Sequence, residues 1–508
     1  MDPRLSMSGN LGYALVMGIY ELWSGDDDKV ALRDPVRAIS ISYRDLRQAI
    51  DAGAGQLIGA GVGPGDRVVV TAWTGIEATV GFLAILGAGA TALPVSAALT
   101  PAELERHTRD LRPGYALVHD ADRTRSAYEA MGVPVSGIDV ARAGAAPATP
   151  TTPTTPTGGS LPPPLDDAIA LILQTSGTTG GPKSVPLTQA NLAASTATIA
   201  ATYQLGPSDT AFCMMPLFHV HGLIGIALTT LASGGTVVMP SRVRISAFWS
   251  LMAEHGITWV SAVPTMLARI PEGPQHGHCL RFIRSASSPL PPTLAARLEK
   301  DTGVPVVEAY GMTEATHQLA SNPLPPGDRE PGSVGVATGT EISIADPEWA
   351  HLPSGEIGEV VVRGASITTG YLDNPEANAA SFRDGWFRTG DLGQMSDAGY
   401  VRLVGRIKEM INRGGEKISP REVDEALLTH PGVVEAATYG AADEKYGEVV
   451  HAVVVAREGV ESKALIEHCS GHLAQFKIPR IIHIVDSIPK GPTGKIQRNL
   501  LSQALDGR

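Results

Sequence analysis

The sequence predicts an α/β fold followed by a small α+β unit, and three observations support this prediction. Strand-like and helix-like segments alternate from about residue 40 onward, as in the β-branched DRVVVTAW (66–73) and the helical IEATVGFLAILGAGA (76–90). The chain of 508 residues, 43% of them hydrophobic, can bury a large core and form two or more domains. From about Gly405 the character changes to a charged hairpin-like stretch, a capped helix beginning at Ser419-Pro420, and a strand. Further buried strands are predicted in ALILQTS, GTVVMPS and ITWVSAVP.

A low-complexity stretch interrupts the alternation without ending it. Residues 146–164 read APATPTTPTTPTGGSLPPP, and such a Pro/Thr/Gly composition cannot form a packed element. Because the α/β alternation resumes directly after it, we interpret this stretch as an exposed connector. The domain boundary is predicted between Leu403 and Lys408, which divides the chain into domains 1–404 and 405–508.

Composition argues against several functional classes. The formal net charge of −12 disfavours a non-specific grip on nucleic acid or anionic lipid, which requires clustered Lys and Arg. The three cysteines are scattered, without the paired spacing of a zinc site, and are too few for a disulfide framework. Since no segment reaches about 18 uninterrupted apolar residues, no membrane partner is expected. We therefore predict a cytoplasmic protein, monomeric or homodimeric, that holds any anionic ligand locally.

The stretch QTSGTTGGPKSVPLT (174–188) has the composition of a phosphate-binding loop. Its spacing does not match a Walker A loop, because the four residues after Gly177 lead to Pro182-Lys183-Ser184 instead of Gly-Lys-Ser/Thr. Proline also removes an N–H group and fixes φ where a Walker loop turns into its helix. The alternative is a Gly/Ser/Thr linker. Taken alone, the stretch leaves both interpretations open.

Six motifs then occur in a definite order along the chain. They are TSGTTGGPK (175–183), MPLFHVHG (215–222), EAYGMTEA (308–315), WFRTGD (386–391), GRIKEMINRGGEKI (405–418) and PKGPTGKIQR (489–498). In this order they resemble the motifs of the acyl-adenylate-forming superfamily, which includes acyl-CoA synthetases, adenylation domains of peptide synthetases and luciferases. The resemblance covers nearly the whole chain. It implies a large N-terminal adenylate-forming domain of α/β subdomains and a small, mobile α+β C-terminal domain joined to it by a hinge.

The resemblance implies that the first motif binds the β- and γ-phosphates of ATP. Hydroxyl and backbone N–H groups suit phosphate oxygens. One position departs from the family, which usually has Gly after the lysine where this chain has Ser184. If that position required a positive φ, serine would cost about 1 kcal/mol there. The nucleotide-binding residues implied in this motif are Thr175, Ser176, Gly177, Thr178, Thr179 and Lys183.

The third motif resembles the metal- and adenine-binding part of the family site. Glu314 matches the Mg²⁺ ligand, a role that suits a carboxylate beside bound phosphates, and Thr313 would contact the α-phosphate. The Tyr310 ring would stack near adenine, and Gly311 would allow a tight turn beside it. The alternative for Glu314 is a solvated residue at a loop or helix start.

The fourth and fifth motifs imply a ribose clamp and a hinge. Asp391 would accept hydrogen bonds from both ribose hydroxyls, and Arg406 would reach ribose or phosphate from across the domain boundary. The alternative for these two residues is a surface ion pair. Lys408 stands where the family has its hinge.

The last two motifs imply the machinery for two half-reactions. Lys495 matches the family's catalytic lysine, which would neutralise charge on the α-phosphate and the carboxylate as they meet; no general base is needed, because a carboxyl group is already ionised at neutral pH. Gly414-Gly415 would let the backbone pass close to the pantetheine of coenzyme A. A hairpin turn is a second reading of the Gly pair, compatible with the first.

Three stretches carry a narrower resemblance, to oxalate-CoA ligases: MPLFHVHGL, RFIRSASSPL and EAYGMTEATH. Their side chains are polar where a fatty-acid tunnel would be small and apolar, which predicts a small polar acid. Arg284 would add a donor for a second carboxylate, and Phe218 would wall the pocket. In the alternative, the histidines brace a loop and Arg284 pairs with a nearby acid. The predicted acid-binding residues are His219, His221, Ser285, Ser287 and His317, with Ser288 adjoining.

The sequence therefore predicts an acid:CoA ligase that uses ATP, Mg²⁺ and coenzyme A, most like an oxalate-CoA ligase. Malonate or a short fatty acid is the alternative substrate, and a carrier protein is an alternative thiol partner. A catalytically inactive binding homologue would be expected to lack Glu314, Asp391 or Lys495, and all three are present. A luciferase-like oxygenase stays open, although the polar pocket does not suit a large aromatic substrate.

Overall fold

The computed structural model describes residues 26–71, 75–119, 124–137, 167–175, 182–242, 244–272, 277–491 and 494–502. The Pro/Thr-rich stretch 146–164 lies outside these ranges. Within them, none of the helices combines the length and the apolar composition that crossing a bilayer requires.

The secondary structure alternates between strands and helices over most of the chain. Up to residue 137 the elements are β1 (Val30–Asp34), β2 (Ile39–Ser42), α1 (Tyr43–Gly59), β3 (Arg67–Thr71), α2 (Ile76–Gly87), β4 (Thr91–Val95), α3 (Pro101–Leu111), β5 (Tyr115–Val118), α4 (Thr124–Ala130) and β6 (Val135–Gly137). They continue with β7 (Ile169–Thr175), β8 (Lys183–Thr188), α5 (Gln189–Tyr203), β9 (Thr210–Phe212), α6 (Val220–Gly222), a π-helical turn (Leu223–Leu228), α7 (Thr229–Ala232), β10 (Thr236–Val238), α8 (Phe248–Glu254), β11 (Trp259–Ala262), α9 (Pro264–Leu267), β12 (Phe282–Ala286), α10 (Pro292–Thr302), β13 (Val306–Met312) and β14 (His317–Ser321).

The C-terminal part of the chain is richer in strands. Its elements are β15 (Val336–Ala337), β16 (Glu341–Ala345), β17 (Gly358–Arg363), α11 (Pro375–Ser381), β18 (Phe382–Arg383), β19 (Trp386–Met395), β20 (Val401–Arg406), β21 (Ile411–Arg413), β22 (Glu416–Ile418), α12 (Pro420–Leu428), β23 (Val433–Asp443), β24 (Gly447–Ala456), α13 (Ser462–Ser470) and β25 (Ile481–Ile484). Short 3₁₀ turns lie at Ile245–Ala247, Thr313–Ala315, Ile407–Glu409, Gln475–Lys477 and Arg498–Leu500.

Three sheets build the larger part of the molecule. A six-stranded sheet runs β6-β5-β3-β4-β7-β8 and is parallel except for the β7–β8 pair. A nine-stranded sheet runs β15-β14-β13-β12-β11-β9-β10-β1-β2 and is parallel from β13 to β1. An antiparallel sheet holds β16 to β20. Because parallel neighbours require crossover connections, the first two sheets are α/β sheets, as predicted.

The predicted strands and helix of this part lie close to their predicted positions. ALILQTS overlaps β7 from the second residue of the strand onward, GTVVMPS and ITWVSAVP contain β10 and β11, and DRVVVTAW contains β3. Residues 72–74 and 176 lie outside the described part. The helix predicted over 76–90 ends at Gly87 and is buried along nearly its whole length. An apolar helix of this kind packs on all sides, in agreement with its low charge.

A small sheet with its own core forms the C-terminal unit. The order is β22-β21-β24-β23, with β25 paired to β24, and apolar side chains of α12 and α13 pack against it. The predicted α/β fold with a separate C-terminal α+β domain is confirmed. The division at residues 404 and 405 stays a prediction.

The helix predicted at Ser419-Pro420 begins at Pro420 with Ser419 at the N-cap position, but the serine side chain does not cap the helix. The Ser419 side chain makes no capping bond; its hydroxyl instead donates to the carbonyl of Val404 at 2.6 Å. Pro420 occupies the first helical turn, where a missing N–H costs nothing. Ser419 therefore ties the start of α12 to β20 rather than to its own helix.

Candidate active site

The predicted phosphate loop joins the two strands of a hairpin. Thr175 at the end of β7 lies opposite Lys183 at the start of β8, and the Thr175 hydroxyl donates to the Lys183 carbonyl at 3.4 Å. Residues 176–181 between them lie outside the described part, so Ser176, Gly177, Thr178 and Thr179 are not placed. The hairpin fixes both ends of the loop.

Ser184 carries none of the conformational cost that a positive φ would impose on serine. Ser184 lies in β8 opposite Gln174, and its carbonyl accepts a hydrogen bond from the N–H of Leu372 at 2.9 Å. Its backbone is therefore extended, a conformation open to any residue. The expected cost of a positive φ does not arise here.

Lys183, Tyr371 and Glu314 form one connected group. The Lys183 ammonium lies 4.2 Å from the centre of the Tyr371 ring, and the Tyr371 hydroxyl donates to Glu314 Oε1 at 3.0 Å. Burial lowers the pKa of Lys183, the charge of Lys408 lowers it further, and Glu314 opposes both. Tyr371 was missed by the sequence analysis, because a single tyrosine in a Thr/Gly-rich loop gives no signal of its function.

Glu314 is a buried carboxylate on the 3₁₀ turn between β13 and β14. Thr313 precedes it in the same turn. The alternative of a solvated glutamate is therefore wrong. Gly311, at the end of β13, has no room for a side chain, because a Cβ there would lie 1.5 Å from the His317 carbonyl oxygen. The glycine serves a close backbone approach across the β13–β14 pair.

Asp391 receives hydrogen bonds from two of the predicted nucleotide-binding residues. The Tyr310 hydroxyl donates to Oδ2 at 2.6 Å, and Arg406 Nε donates to Oδ1 at 2.7 Å. Asp391 and Arg406 are also register partners in β19 and β20. The pKa of Arg406 is raised, first of all by Asp391. Asp391 is buried whereas the Arg406 side chain is 52% exposed, so the ion pair of the alternative interpretation is present, with its acidic member buried.

Two stacked imidazoles occupy the other side of the site. The rings of His221 and His317 lie 5.0 Å apart with an interplanar angle of 25°. His221 Nε2 is 2.7 Å from the Ser261 hydroxyl, and its Nδ1 is 3.2 Å from the Ser287 hydroxyl. Burial lowers the pKa of both histidines, and the neighbouring charges of Arg284 and Lys495 lower it further. Both rings are therefore neutral at physiological pH.

Arg284 lies fully buried behind this pair. Its guanidinium contacts the Ser261 hydroxyl at 2.8 Å, the Gln318 side-chain oxygen at 3.2 Å and His317 Nε2 at 2.8 Å. Among the described residues it has no carboxylate partner, so the predicted alternative of an ion pair with an acid is wrong for this part of the chain. Ser261, on β11, was not singled out from the sequence.

The remaining predicted acid-binding residues border the same region. Ser285 is fully buried, and its hydroxyl has no hydrogen-bond partner among the described residues. Ser287 has a φ of 74°, a left-handed conformation that is uncommon for serine and often marks a functional site. Burial, and then the charge of Lys495, lower the pKa of His219 to about 4. The Phe218 ring lies 4.7 Å from that of its neighbour His219, and its role as a pocket wall stays a prediction.

Lys495 reaches this site from the C-terminal unit. Its charge acts on His219, His221 and His317 on one side and on Asp391 and Glu314 on the other. The lysine is open to solvent, but surrounding protein and then Arg406 lower the pKa of its ammonium. The preceding Gly494 carbonyl accepts a hydrogen bond of 3.4 Å from Thr265 of the large domain. Lys495 thus interacts electrostatically with both the acidic residues and the histidines of the site.

Gly414 and Gly415 form a two-residue hairpin turn between β21 and β22. Their φ angles are 61° and 99°, the positive values that such a turn requires. Gly414 N–H donates to the Tyr446 carbonyl, and a Cβ on Gly415 would meet nothing within 4 Å. The hairpin reading is confirmed; a role toward coenzyme A stays a prediction. Lys408 lies in the 3₁₀ turn before this hairpin.

Two family models match the chain. The AMP-binding enzyme model matches residues 22–372, and the model of the AMP-binding enzyme C-terminal domain matches residues 422–495. The chain belongs to the AMP-binding enzyme family. This confirms the resemblance read from the six motifs and makes the chain an ATP-binding, adenylate-forming protein.

Curated relatives of this AMP-binding enzyme include several CoA ligases. It is 43% identical to a probable CoA ligase, CCL9, from Humulus lupulus, over 91% of each chain. It is 42% identical to an oxalate–CoA ligase from Arabidopsis thaliana, over 94% of this chain and 98% of that protein. An oxalate–CoA ligase from Saccharomyces cerevisiae is 47% identical over 66% of this chain and 63% of its own.

Solved structures also resemble this AMP-binding enzyme over its whole length. The crystal structure of ATP-bound MatB from Rhodopseudomonas palustris has a TM-score of 0.87 and 31% identity, covering 97% of this chain and 99% of that one. The apo structure of MatB has a TM-score of 0.77 at similar coverage.

The described residues of this AMP-binding enzyme suit a nucleotide with its metal. Among them, no three His, Cys, Asp or Glu side chains form a group that could hold a metal ion alone. Mg²⁺ is commonly held by one or two carboxylates together with substrate phosphates. A buried glutamate beside Lys183 fits that pattern, because the lysine provides a cation for the same phosphates.

Proposed function

We propose that this enzyme is an ATP-dependent acid:CoA ligase that first makes an acyl-adenylate and then an acyl-CoA thioester, with oxalate as its acid. The support for the chemistry is that Lys495 lies close enough to Glu314 and Asp391 for their charges to interact. These residues come from different parts of the chain, and Lys495 belongs to the C-terminal unit. Adenylation requires such a set, since it brings a carboxylate and a triphosphate together.

In the first half-reaction the acid attacks the α-phosphorus, and pyrophosphate leaves. Lys495 neutralises negative charge that gathers between the carboxylate and the α-phosphate, and Thr313 contacts that phosphate. Lys183, with the adjoining loop from Thr175 onward, holds the β- and γ-phosphates. Asp391 accepts hydrogen bonds from the ribose hydroxyls and gives up the bond to one of its present donors, Tyr310 or Arg406. Mg²⁺ bound at Glu314 would neutralise part of the phosphate charge.

In the second half-reaction the thiol of coenzyme A attacks the acyl carbon and AMP leaves. The turn at Gly414-Gly415 presents bare backbone, which suits the narrow pantetheine arm. Lys408, in the short turn that follows the last strand of the large domain, is the proposed hinge. Coenzyme A is the proposed thiol partner.

One observation carries the choice of oxalate. Two neutral histidines, His221 and His317, border the proposed acid pocket, and Arg284 lies next to them. Arg284 is a buried cation whose partners among the described residues are all uncharged. A buried charge without a counter-ion is costly, so a second anionic group of the substrate would find a favourable field there. A fatty acyl chain would leave these polar groups unsatisfied. Two relatives named as oxalate–CoA ligases, at 42% and 47% identity, support the same assignment.

A panel of acids tests this proposal. Oxalate, malonate, acetate and hexanoate are each supplied with ATP and Mg²⁺, and AMP release is measured with and without coenzyme A. We expect oxalate to support CoA-dependent AMP formation better than the other three. A preference for hexanoate would remove the substrate assignment and leave the ligase chemistry in place. Absence of AMP formation with every acid would contradict the ligase proposal itself.

A further inference from the structure

We propose that Arg284 is a positioning residue that locks His317 in the neutral tautomer with hydrogen on Nδ1, so that His317 offers an N–H donor to the second carboxylate of the acid. This inference rests on the proposed function, because it treats the histidine-lined end of the cleft as the acid pocket. It assigns a task to a residue that lies behind the pocket.

The contact between the two side chains fixes the direction of the hydrogen bond. Arg284 Nη2 lies 2.8 Å from His317 Nε2. A guanidinium has five donors, no acceptor, and stays protonated in proteins. His317 Nε2 must therefore accept, and the proton of the neutral ring must sit on Nδ1. The same geometry excludes the doubly protonated ring, whose Nε2 would carry a hydrogen pointing at a cation.

The surroundings hold Arg284 in this position. Besides His317, its guanidinium bonds the Ser261 hydroxyl, the Gln318 side-chain oxygen and the carbonyl of Gly225 at 3.3 Å. The rings of Tyr203 and Trp259 lie 5.5 and 5.8 Å from its central carbon. A side chain with these contacts on all sides has little freedom to turn away from His317.

The π-helical turn at Leu223–Leu228 makes room for the pair. Gly225 lies in this turn, and a Cβ on it would come 2.3 Å from the His317 ring and 2.8 Å from Arg284. Such turns frequently occur at functional sites. The local fold is thus shaped around the contact between Arg284 and His317, and Gly225→Ala disturbs that contact without changing either side chain.

The charged and titratable groups that act on His317 all lower its pKa. Arg284 on β12, His221 on the short helix α6 and Lys495 from the C-terminal unit all lower its pKa, in addition to burial. His221 contacts His317 by ring stacking, and among the described residues the ring nitrogens of His317 bond only Arg284. His317 Nδ1 has no hydrogen-bond partner in the described part of the chain, which leaves its N–H group for a ligand.

An acceptor on the acid is needed to use this N–H group. Oxalate places a second carboxylate within reach of any residue beside the reacting carboxylate, whereas acetate has only a methyl group there. A site built to donate to a polar group discriminates strongly against an analogue that lacks it, because the donor is left unpaired. Arg284 thereby contributes to selectivity without touching the acid.

The tautomer can be read directly by ¹⁵N NMR of protein labelled at histidine, with His317→Gln to assign the signal. We expect the wild-type ring to show a protonated Nδ1 and an unprotonated Nε2 from about pH 5.5 to about pH 8.5. In Arg284→Met, which keeps much of the side-chain volume, this pattern should change or become pH-dependent. A wild-type His317 that carries hydrogen on Nε2, or titrates in this range, would overturn the proposal.

Kinetics provide the second measurement. In Arg284→Met and in Gly225→Ala, KM for oxalate should rise about tenfold or more, while KM for ATP changes less than about twofold. Arg281→Lys is the matched control, because Arg281 immediately precedes β12, the strand that carries Arg284, but pairs with Asp209. An equal rise of both KM values would reduce Arg284 to a structural residue. If Arg284→Met does not fold, the KM values of Gly225→Ala and the NMR signal of His317 in the wild-type protein test the proposal.

The two proposals fail in different ways. If no acid yields AMP but the wild-type signal shows hydrogen on Nδ1, the proposed function falls while the tautomer assignment stands. If oxalate is the preferred acid and the signal shows hydrogen on Nε2, the function stands and the role of Arg284 falls.

Discussion

Tyr371 and Glu314 are joined by a hydrogen bond of 3.0 Å from the tyrosine hydroxyl to the carboxylate, and the same tyrosine ring lies beneath the ammonium of Lys183. One aromatic residue thus orients both the proposed metal ligand and the cation next to it. Burial raises the pKa of the Tyr371 hydroxyl, and Glu314 raises it further, so that it stays a donor. This hydrogen bond holds the Glu314 carboxylate in one orientation, ready to bind the proposed Mg²⁺.

Removing that hydroxyl should weaken metal binding more than nucleotide binding. We expect Tyr371→Phe to raise the Mg²⁺ concentration for half-maximal adenylation by about tenfold, on the scale of losing an outer-shell partner. The ring remains beneath Lys183, so KM for ATP at saturating Mg²⁺ should change little. Tyr400→Phe is the control, because among the described residues the partner of its hydroxyl is the Asp328 carbonyl, in an exposed contact. Equal effects on Mg²⁺ and ATP would assign Tyr371 to folding of the loop.

Lys495 should matter for the first half-reaction and not for the second. A cation placed where two negative groups meet lowers the barrier of that step, and losing one electrostatic stabiliser typically costs about a hundredfold or more in rate. Lys495→Ala should lose adenylation on that scale. It should still convert supplied acyl-adenylate and coenzyme A to thioester at a rate near wild type, because AMP is already a good leaving group.

Arg406 offers the comparison for Lys495, since both cations lie near Asp391. Arg406→Ala removes a contact to the proposed ribose clamp and should raise KM for ATP. If Lys495→Ala slowed both half-reactions together in a folded protein, the lysine would belong to nucleotide binding or domain closure.

Replacing Gly415 with leucine should impair thioester formation more than adenylation. The position is open, but its φ of 99° strains any residue with a Cβ, so the substitution has a conformational effect besides its bulk. Gly459→Leu is the matched control, since Gly459 has a φ of 84°, open space, and a place in another turn of the same domain. The ratio of the two half-reaction rates, compared between the variants, isolates the effect of bulk. An unchanged ratio in Gly415→Leu would leave the Gly pair as a turn only.

The sequence was informative where chemistry depends on residue type in a local motif. Glu314, Asp391 and Lys495 lie in separate motifs, and family resemblance assigned them to one site in which their charges now interact. It was uninformative where a contact joins elements distant in the chain. Tyr371 and Ser261 act through partners 57 and 40 residues away, and no local pattern marks such pairs.

Tertiary contacts decided the outcome at two positions where the sequence offered a local expectation. Ser184 raised a concern only if its φ were positive, and pairing within the β7–β8 hairpin makes it extended. Ser419 has the residue type of a helix cap, but the neighbouring Val404 carbonyl takes its hydroxyl. In both cases tertiary contacts decide the outcome, and the sequence alone does not reveal these contacts.

Glu308, on β13, makes stability depend on pH. It is 7% exposed, and burial raises the pKa of its carboxyl to about 7, against the opposing effects of Arg421 and of the Leu290 N–H group, which donates to Oε1. A carboxyl whose pKa is higher in the folded than in the unfolded state favours folding while it is protonated. Its contribution is complete below the unfolded value of 4.5 and disappears as the pH rises through about 7.

Glu308→Gln replaces the titrating group with a neutral amide that keeps an acceptor for Leu290. Because the glutamate is ionised in the folded state only above about pH 7, the variant should melt several degrees higher than wild type at about pH 8 and within about one degree of it at about pH 5. Glu356→Gln, at an exposed turn, should change neither melting temperature. Thermal unfolding of the three proteins at both pH values is the measurement. A variant that melts lower than wild type at about pH 8 would mean that the ionised carboxylate is held by Arg421 and stabilises the fold.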